Sequence, residues 1–438
     1  MFVVKTIKLS KKYSNQNHIV LLFDTSATVP CLYPLLYSLT ALRFQSFATQ
    51  QSDMLALKFW YEFWFEKFAT SFCESFYSTS YNFEIIQCEI DNFIVYLENN
   101  KKLESNLIRL SNSEHINYTT IGHRVRSFLK FYNFLINEYL SMQSQPQLTL
   151  KEIQKIKENL NKYMTIKKKI INNFSKANKT IKSEINHNFK SMNQEMIKGL
   201  YSVISPSNSN KYNELNPFRS KNVQLRNFLI IHLMLNYGLR IGELMLLTTN
   251  SIKKSIQNHS FSLIITNTDD EFDDRSKKPK IKNEYSYRVI KLQERDYRIL
   301  QIYINEIRKE IPSQILFTSL KPPYSALSYA SVKKIFDQVD LSLKALLPEC
   351  FDTSAYDSIE RLTPHVCRHS WAYMMLSFSF EKYKKENASH SDLKQSVNDA
   401  LLKAQDDLRA LGGWSPTSAM PIYYGKRFIG NPPINNRS

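Results

Sequence analysis

Apolar positions along most of this chain recur with the period of an α-helix. PLLYSLTALRF (34–44) and DMLALKFWYEFWFEKF (53–68) place apolar residues three and four apart, the spacing of helices that bury one face. The same spacing returns over 84–98 and 118–141. Residues 1–30 read as short strands or extended chain, with IVLLF at 19–23, and the Ser-, Tyr- and Asn-rich stretch 73–85 reads as a loop. The pattern breaks around Pro146. Thr149 and Glu152 then form a capping box, with Leu148 and Ile153 placed for a hydrophobic staple. A Lys/Asn-rich segment follows over about 150–200, in which Ile153, Ile156, Leu160 and Tyr163 keep helical spacing. It fits a solvated linker helix, or a basic connector lying along phosphates. SPSNSN (205–210) is a loop.

Beyond this point the pattern changes. A strongly apolar helix is predicted over 224–237. FSLIIT (261–266) and YRVIKL (287–292) read as strands, separated by an acidic and then basic stretch. Helices are predicted over 295–309, 327–346, 364–377 and 394–411. The expected fold is mainly α with a small β-sheet, an α+β arrangement. The chain is expected to divide into an N-terminal extended segment (1–30), a helical domain (31–145), a basic helical linker (146–210) and a C-terminal domain (211–438).

Composition narrows this picture. At 438 residues the chain is long enough for two or three cores. Its eight glycines argue against a Gly-rich nucleotide loop and against a turn-rich all-β fold. The formal charge of +18 favours a polyanionic partner, nucleic acid first and an anionic membrane surface second. On the helix over 118–141, His123, Arg124, Arg126 and Lys130 interleave with aromatic residues. Cys31, Cys73, Cys88, Cys350 and Cys367 form no CxxC pair, which suggests reduced thiols in a cytosolic compartment. MFVVKTIKLSKK carries no apolar run long enough for a signal peptide. Two apolar stretches, 54–72 and 228–247, contain too many charges for a membrane span, Arg240 and Glu243 among them.

Four local features carry chemistry. In YGLRIGELMLL (237–247), Gly238 permits a turn and Arg240 lies three residues before Glu243. The pair suits a structural ion pair as well as a site. KIKNEYSYRVIKL (280–292) reads as a hairpin with a lysine near its turn. In LTPHVCRHSWAYMML (362–376), Thr363 and Pro364 start a helix, and His365 and Arg368 fall on one face near its N-terminus, where an anion is favoured. A metal site at His365 and His369 lacks the adjacent Glu of a zinc-protease helix and a clear third ligand. In LGGWSPTSAMPIYYG (411–425), Ser415-Pro416 signals a helix start between Trp414 and the adjacent Tyr423 and Tyr424.

Taken in this order, the four resemble the tyrosine recombinases, or phage-type integrases, whose signature runs Arg, Lys, His-x-x-Arg, His or Trp, Tyr. The resemblance covers about residues 190–430, and more loosely the N-terminal half through YTTIGHRVRSFLKFYNFL (118–135). It implies a catalytic set of Arg240, Lys282, His365, Arg368, Trp414 and Tyr423, with Glu243 as a supporting acid. Lys280 and Lys278 remain alternatives for the lysine, and Tyr424 for the nucleophile. Asn250 and the Gly413-Trp414 pair depart from the common pattern, which has Asp after the first helix and Leu-Gly-His in place of Gly-Gly-Trp. The implied activity is site-specific cleavage and rejoining of DNA through a 3′-phosphotyrosine, with no metal or cofactor, for integration or excision of a mobile element. The implied partners are double-stranded DNA, further copies of the chain in a tetramer, and accessory bending or directionality factors, in the cytoplasm at the nucleoid. A type IB topoisomerase, a telomere-resolving enzyme and a non-catalytic DNA-binding regulator with the same fold are the alternatives.

Overall fold

The computed structural model describes residues 2–8, 18–99, 118–142, 149–185, 191–207, 213–256, 260–268, 273, 275, 278–281, 283–352, 354, 358–386 and 393–422. The chain forms two compact units, Met1–Ile185 and Asn186–Ser438. Helices dominate both, with small antiparallel sheets.

In the first unit, β1 (Phe2–Lys8) and β2 (His18–Asp24) pair antiparallel, from Phe2 opposite Asp24 to Lys8 opposite His18. Val20, Leu21 and Leu22 are buried, so the expected extended segment is a hairpin within the helical core. The helices are α1 (Leu32–Leu39), α2 (Phe47–Phe68), α3 (Phe72–Ser78), α4 (Phe83–Glu98), α5 (Tyr118–Tyr139) and α6 (Leu150–Ile185). The stretch expected as a loop from 73 thus begins with a helix. Ser71 caps it, accepting from the Glu74 N–H at 3.1 Å, and Phe72 and Phe76 are buried one turn apart.

Aromatic rings fill this core. Trp60 of α2 stacks on Phe128 of α5 at 3.9 Å, with Phe93 of α4 edge-on to both. Two buried polar groups are satisfied inside it. Asp53 accepts from Ser127 Oγ at 2.5 Å, and Gln50 joins the Val20 N–H to the Leu42 carbonyl. On α5, the Arg124 guanidinium lies 3.7 Å from the Phe59 ring and Lys130 is 3.5 Å from Asp53, while His123 is exposed.

The segment expected as a linker is divided between the units. Thr149 and Glu152 form the capping box, with the Thr149 N–H donating to Glu152 at 2.8 Å and the Glu152 N–H to Thr149 Oγ1 at 3.3 Å. Its proposed staple residue Leu148 lies outside the described residues. From there α6 packs back onto the first unit: Leu160, Met164 and Ile171 are buried, and Lys167 pairs with Asp91 at 2.5 Å. An amphipathic helix with one apolar stripe is stable only against a partner, and α5 provides it.

The second unit is built on α8 (Lys221–Tyr237), buried over most of its circumference, after α7 (Gln194–Ile204). A short α9 (Ile241–Leu246) leads to the sheet β3 (Ile252–Lys254), β4 (Phe261–Ile265) and β5 (Arg288–Leu292). The strands are antiparallel in sequence order, with Ile265 opposite Arg288. Then come α10 (Glu294–Ile302), α11 (Tyr329–Leu346), α12 (Pro364–Glu386) and α13 (Leu393–Gly412). α12 and α13 pack through Trp371, Leu376, Ala404 and Leu408. Tyr237 Oη donates to Asp296 Oδ2 at 2.5 Å, fastening α8 to α10.

Among the described residues, no helix is long and apolar enough to cross a membrane.

Candidate active site

Two helix ends and one strand start meet in the second unit. α8 stops at Gly238, whose φ of +62° is a left-handed conformation that glycine adopts without strain. A side chain could not fit there, since a Cβ would lie 2.2 Å from the Trp371 ring. The turn delivers Arg240 to the N-cap of α9. Its N–H donates to Glu243 Oε2 at 2.8 Å, and its guanidinium to Glu243 Oε1 at 2.5 Å.

α13 closes in a Schellman turn. The Gly413 N–H bonds the Ala410 carbonyl at 3.2 Å and the Trp414 N–H the Arg409 carbonyl at 3.0 Å. Gly413 has φ +61°, and a Cβ there would press on Ser286 and Arg288 at 3.0 Å. The second glycine of Leu-Gly-Gly-Trp therefore has a conformational reason. The turn also aims two consecutive carbonyls at two arginines. Gly413 O accepts from Arg240 at 3.0 Å and Gly412 O from Arg368 at 2.5 Å.

Arg368 comes from the second turn of α12 and is 3% exposed. It also donates to the Gly238 carbonyl, which ties it to the end of α8. Its guanidinium lies 4.5 Å from the Trp414 ring and 5.6 Å from Trp371. Arg240 is 5.9 Å from the same Trp414 ring. Trp414 thus packs beside both guanidiniums.

Glu243 sits beneath this pair, 3% exposed. Arg288 grips it with both nitrogens, at 3.1 and 3.0 Å, and Arg368 lies 4.0 Å away. Burial pushes the Glu243 pKa up. The Arg288 hydrogen bonds and the charges of Arg288, Arg240 and Arg368 outweigh burial, and hold the carboxyl below its ordinary value. It is an anion with three cations around it.

Arg240, Glu243, Arg368 and Trp414 are therefore brought together. His365 lies on the first turn of α12, exposed, with its ring edge-on to His369 at 4.3 Å. Lys282, Tyr423 and Tyr424 lie outside the described residues. Of the other two lysines considered, Lys280 is exposed and Lys278 half-buried. The helix start expected at Ser415-Pro416 is a turn instead, with Ser418 N–H on the Ser415 carbonyl at 2.9 Å. Helical residues begin at 420, where the Met420 N–H meets Ser418 Oγ at 3.2 Å and Pro421 follows. Pro416 is accommodated by a turn as readily as by a first helical position.

Sequence reasoning missed Ser286, Arg288, Trp371 and the glycine carbonyls. Ser286 Oγ accepts from Arg240 Nη1 at 3.1 Å. One signal was available: a glutamate on an apolar helix needs more than an exposed partner to stay charged. Nothing in the spacing indicates that the further cation comes from the first residue of a strand 45 positions later. Among the described residues, no group of three His, Cys, Asp or Glu side chains is arranged to hold a metal ion.

A profile of the phage integrase family matches residues 208–383. The matched segment contains Arg240, Glu243, Arg288, His365 and Arg368, and ends before Trp414. No curated protein matches the chain. Two solved structures of the XerH site-specific recombinase bound to difH substrates are similar to it. The post-cleavage complex is 15% identical, covering 88% of this chain and 80% of that one, with a TM-score of 0.41. The pre-cleavage complex is 17% identical, covering 80% and 96%, with a TM-score of 0.31.

Proposed function

We propose that this protein is a tyrosine recombinase that cleaves and rejoins double-stranded DNA at specific sites through a covalent 3′-phosphotyrosine, with Tyr423 as nucleophile. The observation that carries the proposal is the convergence of Arg240 and Arg368 beside Trp414, in the domain matched by the integrase profile.

A phosphodiester repels nucleophiles, and attack on phosphorus builds further charge on its non-bridging oxygens. Two guanidiniums fixed in advance by backbone carbonyls meet that charge without reorganising. In this reading the Tyr423 oxygen attacks phosphorus and forms the O–P bond. The 5′ oxygen of the next nucleotide leaves and takes a proton from Lys282. His365 assists removal of the tyrosine proton, and Trp414 packs the two arginines. The phosphotyrosine retains the bond energy for rejoining, when a 5′-hydroxyl attacks and releases Tyr423. Exchange between two duplexes requires several protomers, and a tetramer on DNA fits that need. The charge of +18 suits phosphate contacts whose affinity falls steeply with salt. Integration or excision of a mobile element is the role that we infer for the activity.

The test uses a site selected from a random-sequence duplex pool by binding to the full chain. Plasmids carrying two copies are incubated with the wild type, Tyr423→Phe and Tyr424→Phe. Recombinant product from the wild type and Tyr424→Phe but not Tyr423→Phe is expected. Relaxation of supercoils without recombinant product would favour a topoisomerase-like activity instead. Binding with neither activity would favour a DNA-binding regulator.

A further inference from the structure

The two arginines assigned to the phosphate share their neighbourhood with a third, Arg288. We propose that Arg288 is a positioning residue: its two-point grip neutralises Glu243, so that Arg240 and Arg368 keep their positive charge for the phosphate. The link to catalysis rests on the function proposed above, whereas the electrostatic claim does not.

Three observations lead here. First, among the described residues Arg288 alone grips the carboxylate with two guanidinium nitrogens, one to each oxygen at 3.1 and 3.0 Å. Arg240 reaches Glu243 through one guanidinium nitrogen, and Arg368 stands 4.0 Å away. Second, both terminal nitrogens of Arg288 are committed to Glu243, and Nη1 also to the Ser286 carbonyl, so its donors are turned to the carboxylate. Third, its Nε is buried with no hydrogen-bond partner among the described residues. An unpaired buried N–H costs free energy whatever the role of the side chain. The fork is held in spite of that loss.

The charges account for why the fork matters. Glu243 contributes one negative charge and Arg240, Arg288 and Arg368 three positive ones. With Arg288 in place, its charge and that of Glu243 cancel locally, and two guanidiniums remain for an anion. Without it, the carboxylate turns its full charge on Arg240 and Arg368, and the field at the phosphate falls in a region where burial weakens screening. Arg288 also fixes the strand start that positions Ser286, through Nη1 on the Ser286 carbonyl at 3.0 Å, and Ser286 in turn bonds Arg240.

The experiment measures binding of tungstate, a tetrahedral oxyanion, to the full chain by its effect on melting temperature. Arg288→Gln, Arg288→Lys and the double variant Glu243→Gln/Arg288→Gln are compared with the wild type. Arg288→Gln should bind about tenfold more weakly, and the double variant should recover to within about threefold of wild type. Arg288→Lys keeps the charge and should also stay within about threefold. A merely structural role predicts that the double variant is at least as impaired as Arg288→Gln. If Arg288→Gln does not fold, the double variant and Arg288→Lys carry the test, and tenfold weaker binding by both overturns the proposal. Adduct formation on selected DNA is followed in parallel. Adducts at wild-type rate in Arg288→Gln, with undiminished tungstate binding, overturn the role of Arg288 and leave the recombinase reading standing. A tungstate series as expected, with no adduct even from the wild type, supports the electrostatic role and removes the recombinase reading.

Discussion

The two units bury different things. The first buries rings: Trp60, Phe63, Phe72, Phe93, Phe128 and Tyr132 are all fully inaccessible, and the buried carboxylate Asp53 has Ser127 and Lys130 at hand. The second buries charges. Glu243, Arg368, Asp273, Arg275 and Asp296 are each less than a tenth exposed. Apolar burial adds stability in proportion to area, whereas a buried ion pair recovers little beyond its own desolvation. A fold selected for stability alone would resemble the first unit. The arginines of the second hold Glu243 and the turn carbonyls in place.

The sharpest way to break this contrast is to remove one arginine. Arg240→Ala should lower DNA cleavage by a factor on the order of 10³–10⁵, measured as single-turnover adduct formation, while the protein still melts cooperatively. A loss below tenfold would place the phosphate elsewhere. In the first unit the large effect should appear in stability instead. Trp60→Ala should cost about 3–5 kcal/mol, read from denaturant unfolding, because the stacked Phe128 and edge-on Phe93 lose their shared partner.

Acid should separate the units next. Glu243 and Asp296 have folded-state pKa values held below their ordinary 4.5 and 3.8. For Asp296 burial acts upward, and the contacts of His232 and Tyr237 outweigh it. A depressed carboxyl adds stability that is present above its unfolded value and lost as pH falls through the folded one. The second unit should therefore lose melting temperature below about pH 4.5, the more so as Glu243 protonates. Glu243→Gln should start lower and fall less steeply over the same range. Equal slopes would mean that the three guanidiniums do not stabilise the carboxylate. The smallest effect is expected at the turn. Gly413→Ala should cost about 1–2 kcal/mol for its left-handed backbone, and more in cleavage than in stability, since the displaced carbonyl holds Arg240.

Much of this was legible from sequence because it depends on local pattern. Periodicity marked α2, α4, α5 and α8, and strand composition marked β4 and β5. Thr149 and Glu152 announced a helix start that is there. The GLRIGE and PHVCRH segments pointed to Arg240 and Arg368. What escaped depends on contacts between distant segments. The stripe Ile153, Ile156, Leu160 and Tyr163 on α6 looks the same whether it faces water or, as here, buries Leu160 and packs the other three against the core of the first unit. The short α3 was hidden by its Ser- and Tyr-rich composition, although Phe72 and Phe76 are spaced to bury together. In the charged stretch after β4, Arg275 is buried on Asp273 and donates to the Met245 carbonyl at 3.0 Å, a fixed contact inside what reads as a solvated loop. Arg288 was visible only as the second residue of a predicted strand.

The proposed function stands on one covalent step, the joining of Tyr423 to DNA. It is tested most directly by trapping the full chain on nicked duplexes of its selected site, digesting the adduct and identifying the modified peptide. An SDS-resistant adduct on Tyr423 is expected, which Tyr423→Phe abolishes and Arg240→Ala nearly abolishes. An adduct mapped to another residue, or one that forms at full rate without Tyr423, would contradict it.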